Sequence, residues 1–246
     1  MGTVNVVQRC DAASDGESLS VRERILTHAK ELVARKGPMA TTVRDISEVT
    51  GTNVAAVNYY FGSKDALMRE VLIALLEPVN IRRRDMLKQA RQLYAPAPLP
   101  LHAILEALLR PLVESERGAD GGRLFVRTEQ HLRAVPDSEY TRFVAAHFDH
   151  YAQMFIDEIV RTLPHFTRPE IVWRYEFVRG AALHLLANCD PLSGKLRVLA
   201  DGHGMVDVDD NELVLREILA NVMSGVASPP AWTPEQIRKE GKTEKR

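Results

Sequence analysis

Apolar residues recur with helical spacing from Val21 onward. Val21, Ile25, Ala29, Leu32 and Val33 share one face, Ser20 with Glu23 makes a capping box, and Gly37-Pro38 stops the segment. These signals predict a helix of about four turns. Thr42 with Asp45 repeats the capping signal, Ile46 and Val49 supply the apolar face of a helix of about two turns, and Gly51 is suited to end it in a left-handed turn. Asn53 then caps a third short helix running through Tyr60. Ser63 opens a much longer one, in which Leu67, Val71 and Leu75 alternate with Met68, Leu72 and Leu76. Two adjacent apolar stripes require cover on more than one side. Pro78 is expected to end or kink this helix.

Beyond it, "IRRRDMLKQAR" (81–91) carries five basic residues against one acid and reads as a solvated helix face. "APAPLP" (95–100) is a proline-rich break. Further helices are predicted at 100–117, 121–133, 137–163, 167–189 and 209–227, with 194–210 as a loop. No period-two alternation persists and no internal repeat is visible, so the predicted fold class is all-α.

Composition narrows the setting. The chain has 246 residues, 45% of them hydrophobic, enough for one large domain or two small ones. Its longest apolar run, Val71 to Leu76, falls far short of the roughly 18 residues of a membrane span, so no membrane association is expected. Residues 1–19 lack the pattern of a secretory signal and read as a disordered leader; residues 229–246 read as a polar tail. Two cysteines, Cys10 and Cys189, form no motif, which suits a reducing compartment, and a cytoplasmic location is expected. The formal net charge of −1 exerts no global pull on nucleic acid, so any such contact must come from a local face.

Such a face is suggested by "NVAAVNYYFGSKDAL" (53–67). Two short helices joined by a tight glycine turn, with a supporting helix before and a long one after, have the pattern of a helix-turn-helix unit over residues 20–66. The second short helix would be the reader. With Val57 and Phe61 turned inward, Ala55, Ala56, Asn58, Tyr59 and Tyr60 occupy the remaining faces, with Asn53 at the start. Small alanines allow close approach to base edges, an asparagine amide matches adenine, and tyrosine hydroxyls reach phosphates. Lys64 at the next helix start, with Thr42 and Arg44 at the preceding one, adds anion-binding groups. From Ser20 to Asp65 the seven Lys/Arg exceed the five Asp/Glu by only two, so placement matters more than the sum.

This order, with "TTVRDISEVTG", an aromatic-aromatic-Phe ending to the reading helix, and "GSKDAL", resembles the TetR (tetracycline-repressor-like) family from Val21 to about Leu72. Thr52 stands where the family usually has valine, and Asn58 where tyrosine is common. The resemblance implies a ligand-responsive transcriptional regulator, most often a repressor. It would act as a homodimer on a palindromic operator in double-stranded DNA, released by a small effector bound in a C-terminal helical ligand-binding and dimerisation domain, residues 67–228. It places the dimer's four-helix interface on "PEIVWRYEFVRGAALHLLANC" (169–189) and "NELVLREILANVM" (211–223). The stretches "NVAAVNY" and "LPHFTRPEIVWRYEFVRGAA" also resemble the fatty-acid-responsive, PsrA-like branch, which implies a fatty acid or acyl-CoA as effector.

Phe125, Phe143, Phe148, Tyr151, Met154, Phe155, Trp173 and Phe177 either line an apolar effector pocket or fill the core, with Arg127, Arg174 or His184 as a polar anchor if a pocket exists. His147 and His150, i and i+3 on one helix with Asp149 between them, form the one group suited to an alternative, a helical ligand-processing enzyme. Spacing places no third metal ligand, and the chain has no G-x-S-x-G, no H-E-x-x-H and no complete phosphate loop around "PLSGKL". The expectation is a non-enzyme without metal or cofactor.

Overall fold

Four short polar side chains start the first four helices. In this computed structural model, which describes residues 20–201, 203 and 207–228, Ser20 caps α1 (Val21–Lys36) and Thr42 caps α2 (Val43–Thr50), each through a complete capping box. Asn53 caps α3 (Val54–Phe61), its Oδ1 accepting from the Ala56 amide at 2.7 Å, and Ser63 caps α4 (Lys64–Tyr94). Gly51 ends α2 at φ 63°, a left-handed conformation that costs a side chain with a Cβ far more than it costs glycine. The leader 1–19 and the tail 229–246 lie outside the described residues.

The other helices are α5 (Leu101–Val113), α6 (Leu124–Ala134), α7 (Glu139–Thr162), α8 (Arg168–Asn188), the short α9 (Lys195–Leu199) and α10 (Asn211–Ala227). The fold is all-α; among the described residues one isolated bridge, Arg117 to Arg123, closes the turn between α5 and α6. α1, α2 and α3 pack on one another and on the start of α4 to make a head, cored by Ile25, Ala29, Ile46, Val57, Phe61 and Leu67. α4 continues into a body where it packs against α5 and α7, while α10 covers α5 and α8.

Three elements depart from the sequence expectations. Of the two outcomes expected at Pro78, α4 does not end there: the residue sits on the exposed side, and Leu75, Leu76, Val79 and Asn80 are buried around it, so tertiary packing carries the helix past the missing N–H. Its unbroken run also means that the expected division between 20–66 and 67–228 falls within the first turn of a shared helix. α5 and α6 are shorter than predicted, separated by a turn holding Gly118, Gly121 and Gly122. α9 lies inside the stretch read as a loop.

Head and body are tied at several points. The buried Tyr140 hydroxyl at the start of α7 donates to Asp65 in the first turn of α4 at 2.9 Å, and burial raises the tyrosine pKa. Lys30 pairs with Glu116 at 2.6 Å, and the His131 ring sits 3.2 Å from the Arg35 carbonyl. That ring also explains Gly37, where a Cβ would meet it at 3.1 Å and where φ is +82°.

Candidate nucleic-acid interface

α3 buries Val57 and Phe61, and everything else it carries faces outward or nearly so. Asn53, Val54, Ala55, Asn58, Tyr59 and Tyr60 are exposed, and Ala56 is half-buried. Tyr59 is 83% exposed, which is far outside what an aromatic side chain adopts for its own stability. Its ring meets Tyr60 edge-on at 5.2 Å, so each tyrosine limits the other's rotamers. The side chains of Asn58 and Tyr59 make no hydrogen bond among the described residues. Asn53 commits its oxygen to the cap, which leaves its two amide N–H donors for something outside.

The flanking cations differ in how free they are. Arg22 pairs with Glu70, Lys30 with Glu116 and Lys36 with Asp45, whereas Arg44 and Lys64, on either side of α3, meet no carboxylate among the described residues. Arg44 is exposed in the first turn of α2. Lys64 is half-buried, and its Nζ donates to the Met39 carbonyl at 3.1 Å, so its ammonium is held beside the turn between α1 and α2. The Thr42 hydroxyl is consumed by the capping box, accepting from the Asp45 amide at 3.1 Å and donating to Asp45 Oδ2 at 2.8 Å. Lys36 at 2.9 Å, with Thr42, holds the Asp45 carboxyl down at about 2.

Two details were not legible beforehand. Val49, expected on the apolar face of α2, is exposed; Ile46, Ser47 and Thr50 are the buried set. Thr52, in the usual valine position, places its hydroxyl 2.7 Å from that of Thr50, which also donates to the Ile46 carbonyl. A polar pair thus takes the place of an apolar contact under the reading helix. Val54, exposed on the first turn of α3, adds a branched apolar side chain to the outward face and was not anticipated.

In the body a cavity of about 70 Å³ lies between α4, α5, α6, α7 and α8. Phe125, Phe148, Tyr151 and Phe155 line it, with Leu108 and Ala152, but so do Asn80, Arg83, Glu129, Tyr175 and Arg179. The site is therefore far more polar than the expected aromatic pocket. Trp173, Phe177 and His184 lie elsewhere: all three are exposed on α8, Trp173 at 80% and Phe177 at 56%. The reason is helical phase, since Tyr175, which faces the cavity, is two residues from each aromatic and so on the opposite side of the helix. The other expected anchors are also occupied away from the cavity. Arg127 pairs with Asp120 and Asp190, and Arg174 donates to the Gly225 and Val226 carbonyls and stacks on Phe166. Arg83, from the run read as a solvated face, is 6% exposed. Burial pushes its guanidinium down to about 10.

His147, Asp149 and His150 are exposed on α7, with the His147 ring stacked on Phe143. Among the described residues no three His, Cys, Asp or Glu side chains come together as a metal site, and no helix is long and apolar enough to cross a membrane.

A reading helix presented outward on a capped, glycine-turned head, joined by one long helix to an α-helical body with an internal cavity, defines a helix-turn-helix DNA-binding protein. Residues 25–71 match the family described as "Bacterial regulatory proteins, tetR family", and residues 106–219 match the "Tetracyclin repressor-like, C-terminal domain". Together these matches cover more than half of the chain, in head and body alike, and the chain belongs to the TetR family, whose members are transcriptional regulators rather than enzymes. It is 25% identical over 209 residues to the "HTH-type transcriptional repressor KstR2" of Rhodococcus jostii (strain RHA1), covering 85% of this chain and 92% of that one. Among solved structures it is similar to the ketosteroid transcriptional regulator KstR2 of Mycobacterium tuberculosis, with 20% identity, coverage of 84% of this chain and 96% of that one, and a TM-score of 0.56. At that identity the likeness is one of fold.

Proposed function

We propose that the chain is a repressor that binds a palindromic operator as a homodimer and is released by a small effector held in the body cavity. The observation that carries this reading is the outward face of α3: exposed, unbonded and bracketed by Arg44 and Lys64. Ala55, Ala56 and Val54 give the helix a low profile against base edges, and their methyls suit thymine. Asn58 presents an amide to adenine, and Tyr59, Tyr60, Arg44 and Lys64 reach phosphates, with Asn53 and Thr42 at the two helix starts. Two such helices must stand about 34–36 Å apart to enter successive major grooves. The repressor part of the reading also draws on the name of the relative in Rhodococcus jostii.

Release follows from α4, which holds Lys64 and Asp65 at one end and Asn80 and Arg83 at the cavity, about 28 Å away along the axis. An effector that prefers a shifted α4 moves the heads off their spacing, and a differential affinity of about 1–3 kcal/mol between the two forms is a typical coupling. The expected effector class is a fatty acid or acyl-CoA, and the site of action is the cytoplasm, with the DNA.

The test is fluorescence anisotropy on the chain's own promoter fragment and on a shuffled fragment, over a range of salt. Specific binding at least about a thousandfold tighter than to the shuffled fragment, falling steeply with salt, is expected. Equal affinity for both fragments would overturn the reading. A panel of fatty acids, acyl-CoA thioesters and a ketosteroid then asks which compound releases the fragment.

A further inference from the structure

Arg83 is a buried cation without a counter-ion. Its Nε donates to the Leu108 carbonyl at 2.7 Å and its Nη1 to Asn80 Oδ1 at 3.2 Å, which leaves Nη2 without an acceptor among the described residues. No carboxylate lies within 4.0 Å of it among those residues. The side chain lines the cavity, with the Phe125 ring 5.6 Å from its guanidinium carbon. Burying a charge without a carboxylate partner is costly, and a ligand of opposite sign would offset that cost.

The neighbours do not supply that partner. Arg179, the second guanidinium at the cavity, is matched by Glu129 at 3.3 Å and Glu176 at 3.2 Å. Glu129 is also approached by Arg133 at 3.6 Å, so its charge is already shared. Asp149 belongs to the cavity wall but is exposed, where water screens it. The charges lining the cavity balance in number, two guanidinium groups against Glu129 and Asp149, but no carboxylate among the described residues pairs with Arg83, which stands beside Phe125, Phe148 and Phe155.

On the reading that this cavity is the effector site and widens as the ligand enters, its volume of about 70 Å³ being well short of the roughly 300 Å³ of a small-molecule pocket, we infer that the effector is an organic acid whose carboxylate pairs with Arg83 while its apolar part lies against the phenylalanines. A guanidinium presents paired N–H donors in a plane, which match the two oxygens of a carboxylate. A phosphate dianion brings a second charge, and the only other guanidinium here is already paired. The same logic separates the two expected effector classes. A free fatty acid brings the required charge to the cavity, whereas the acyl end of a thioester is neutral.

The experiment compares acids with their uncharged amides on the full chain: octanoate against octanamide and benzoate against benzamide, at fixed ionic strength, read as the melting temperature. Octanoate or benzoate at about a hundred times its dissociation constant should raise the midpoint by roughly 5–10 °C, with its amide well behind. Arg83→Met should abolish the difference between acid and amide. Arg83→Lys, which keeps the charge but not the fork, should retain the preference for the acid at reduced affinity. Acids and amides that act alike on the unmutated chain, or that both leave it unmoved, overturn the inference; so does an acid preference that survives in Arg83→Met. Promoter binding measured without any acid reports separately on the regulator reading. A chain that holds its promoter yet shows no preference for acids would lose only the carboxylate assignment.

Discussion

The Tyr59 hydroxyl stands free in solvent, while the Lys64 ammonium is already tethered to the Met39 carbonyl. The two should therefore fail differently when altered. If Tyr59 makes the proposed phosphate contact, Tyr59→Phe removes one hydrogen bond to the operator and nothing inside the protein, so promoter affinity should fall by about 0.5–1.5 kcal/mol with the melting temperature unchanged. Lys64→Ala removes a charge as well as the tether, so the slope of log affinity against log salt should lessen by roughly 0.9. Anisotropy titrations at four or five salt concentrations distinguish these outcomes, and unchanged affinity in both variants would remove these two residues from the phosphate contacts. At this scale the sequence was informative where a residue's chemistry is visible in its type, as with Asn58 and Tyr59. It was mute on Arg83. In a run of arginines every position looks solvated, and only the packing of Asn80, Arg83 and Leu87 along one side of α4 reveals which one turns inward.

Helix starts were the most legible elements, because a cap is a transaction among four consecutive residues and needs no tertiary partner. Ser20, Thr42, Asn53 and Ser63 all cap where their spacing said they would. Phase was harder in α2: eight residues hold barely two turns, so Ile46 alone fixes the inward face, and Ser47 and Thr50 rather than Val49 complete it. Local rules left open whether Pro78 would end or kink α4; burial on both sides of it carries the helix onward. The Lys36–Asp45 pair, with the capping box of α2, has a pH signature. Asp45 is depressed to about 2 in the folded protein from an ordinary value near 3.8. Its contribution to stability is therefore complete above the unfolded value and is lost as pH falls through the folded one. Chemical denaturation of the native chain and of Asp45→Asn should show a constant gap above about pH 5 that closes between about pH 4 and 2. A gap that persists to pH 2 would mean that the carboxylate's charge is not what Lys36 and the box use. Thr42→Ala, which breaks the other half of the box, should cost about 1 kcal/mol at neutral pH.

At the scale of the whole molecule, α8 leaves an apolar stripe without cover. Trp173 and Phe177 are exposed one turn apart, and the same side continues through Gly180, Ala181 and His184. Phe177 also approaches α10 so closely that a Cβ on Gly225 would sit 3.1 Å from its ring, so the stripe runs on toward α10. A monomer has little reason to hold two such aromatics in water. Each buries on the order of 150–250 Å² when covered, so the four from two copies provide roughly 600–1,000 Å². A specific interface buries above about 1,000 Å², so residues around these aromatics would have to supply the rest. Pairing about this stripe by two-fold symmetry places each copy's residues against the same patch on the other, which turns one substitution into two. Trp173→Glu thus sets two carboxylates into the contact. It should give a monomer in sedimentation equilibrium at micromolar concentration, with the helical circular dichroism of the native chain. On the proposed dimeric binding to a palindromic operator, a lone head meets only half a site, so promoter affinity should drop more than about tenfold, while the residual binding keeps its salt dependence. A dimer that survives both Trp173→Glu and Phe177→Glu would put the interface on another face of the body and leave the spacing of the heads to be set from there.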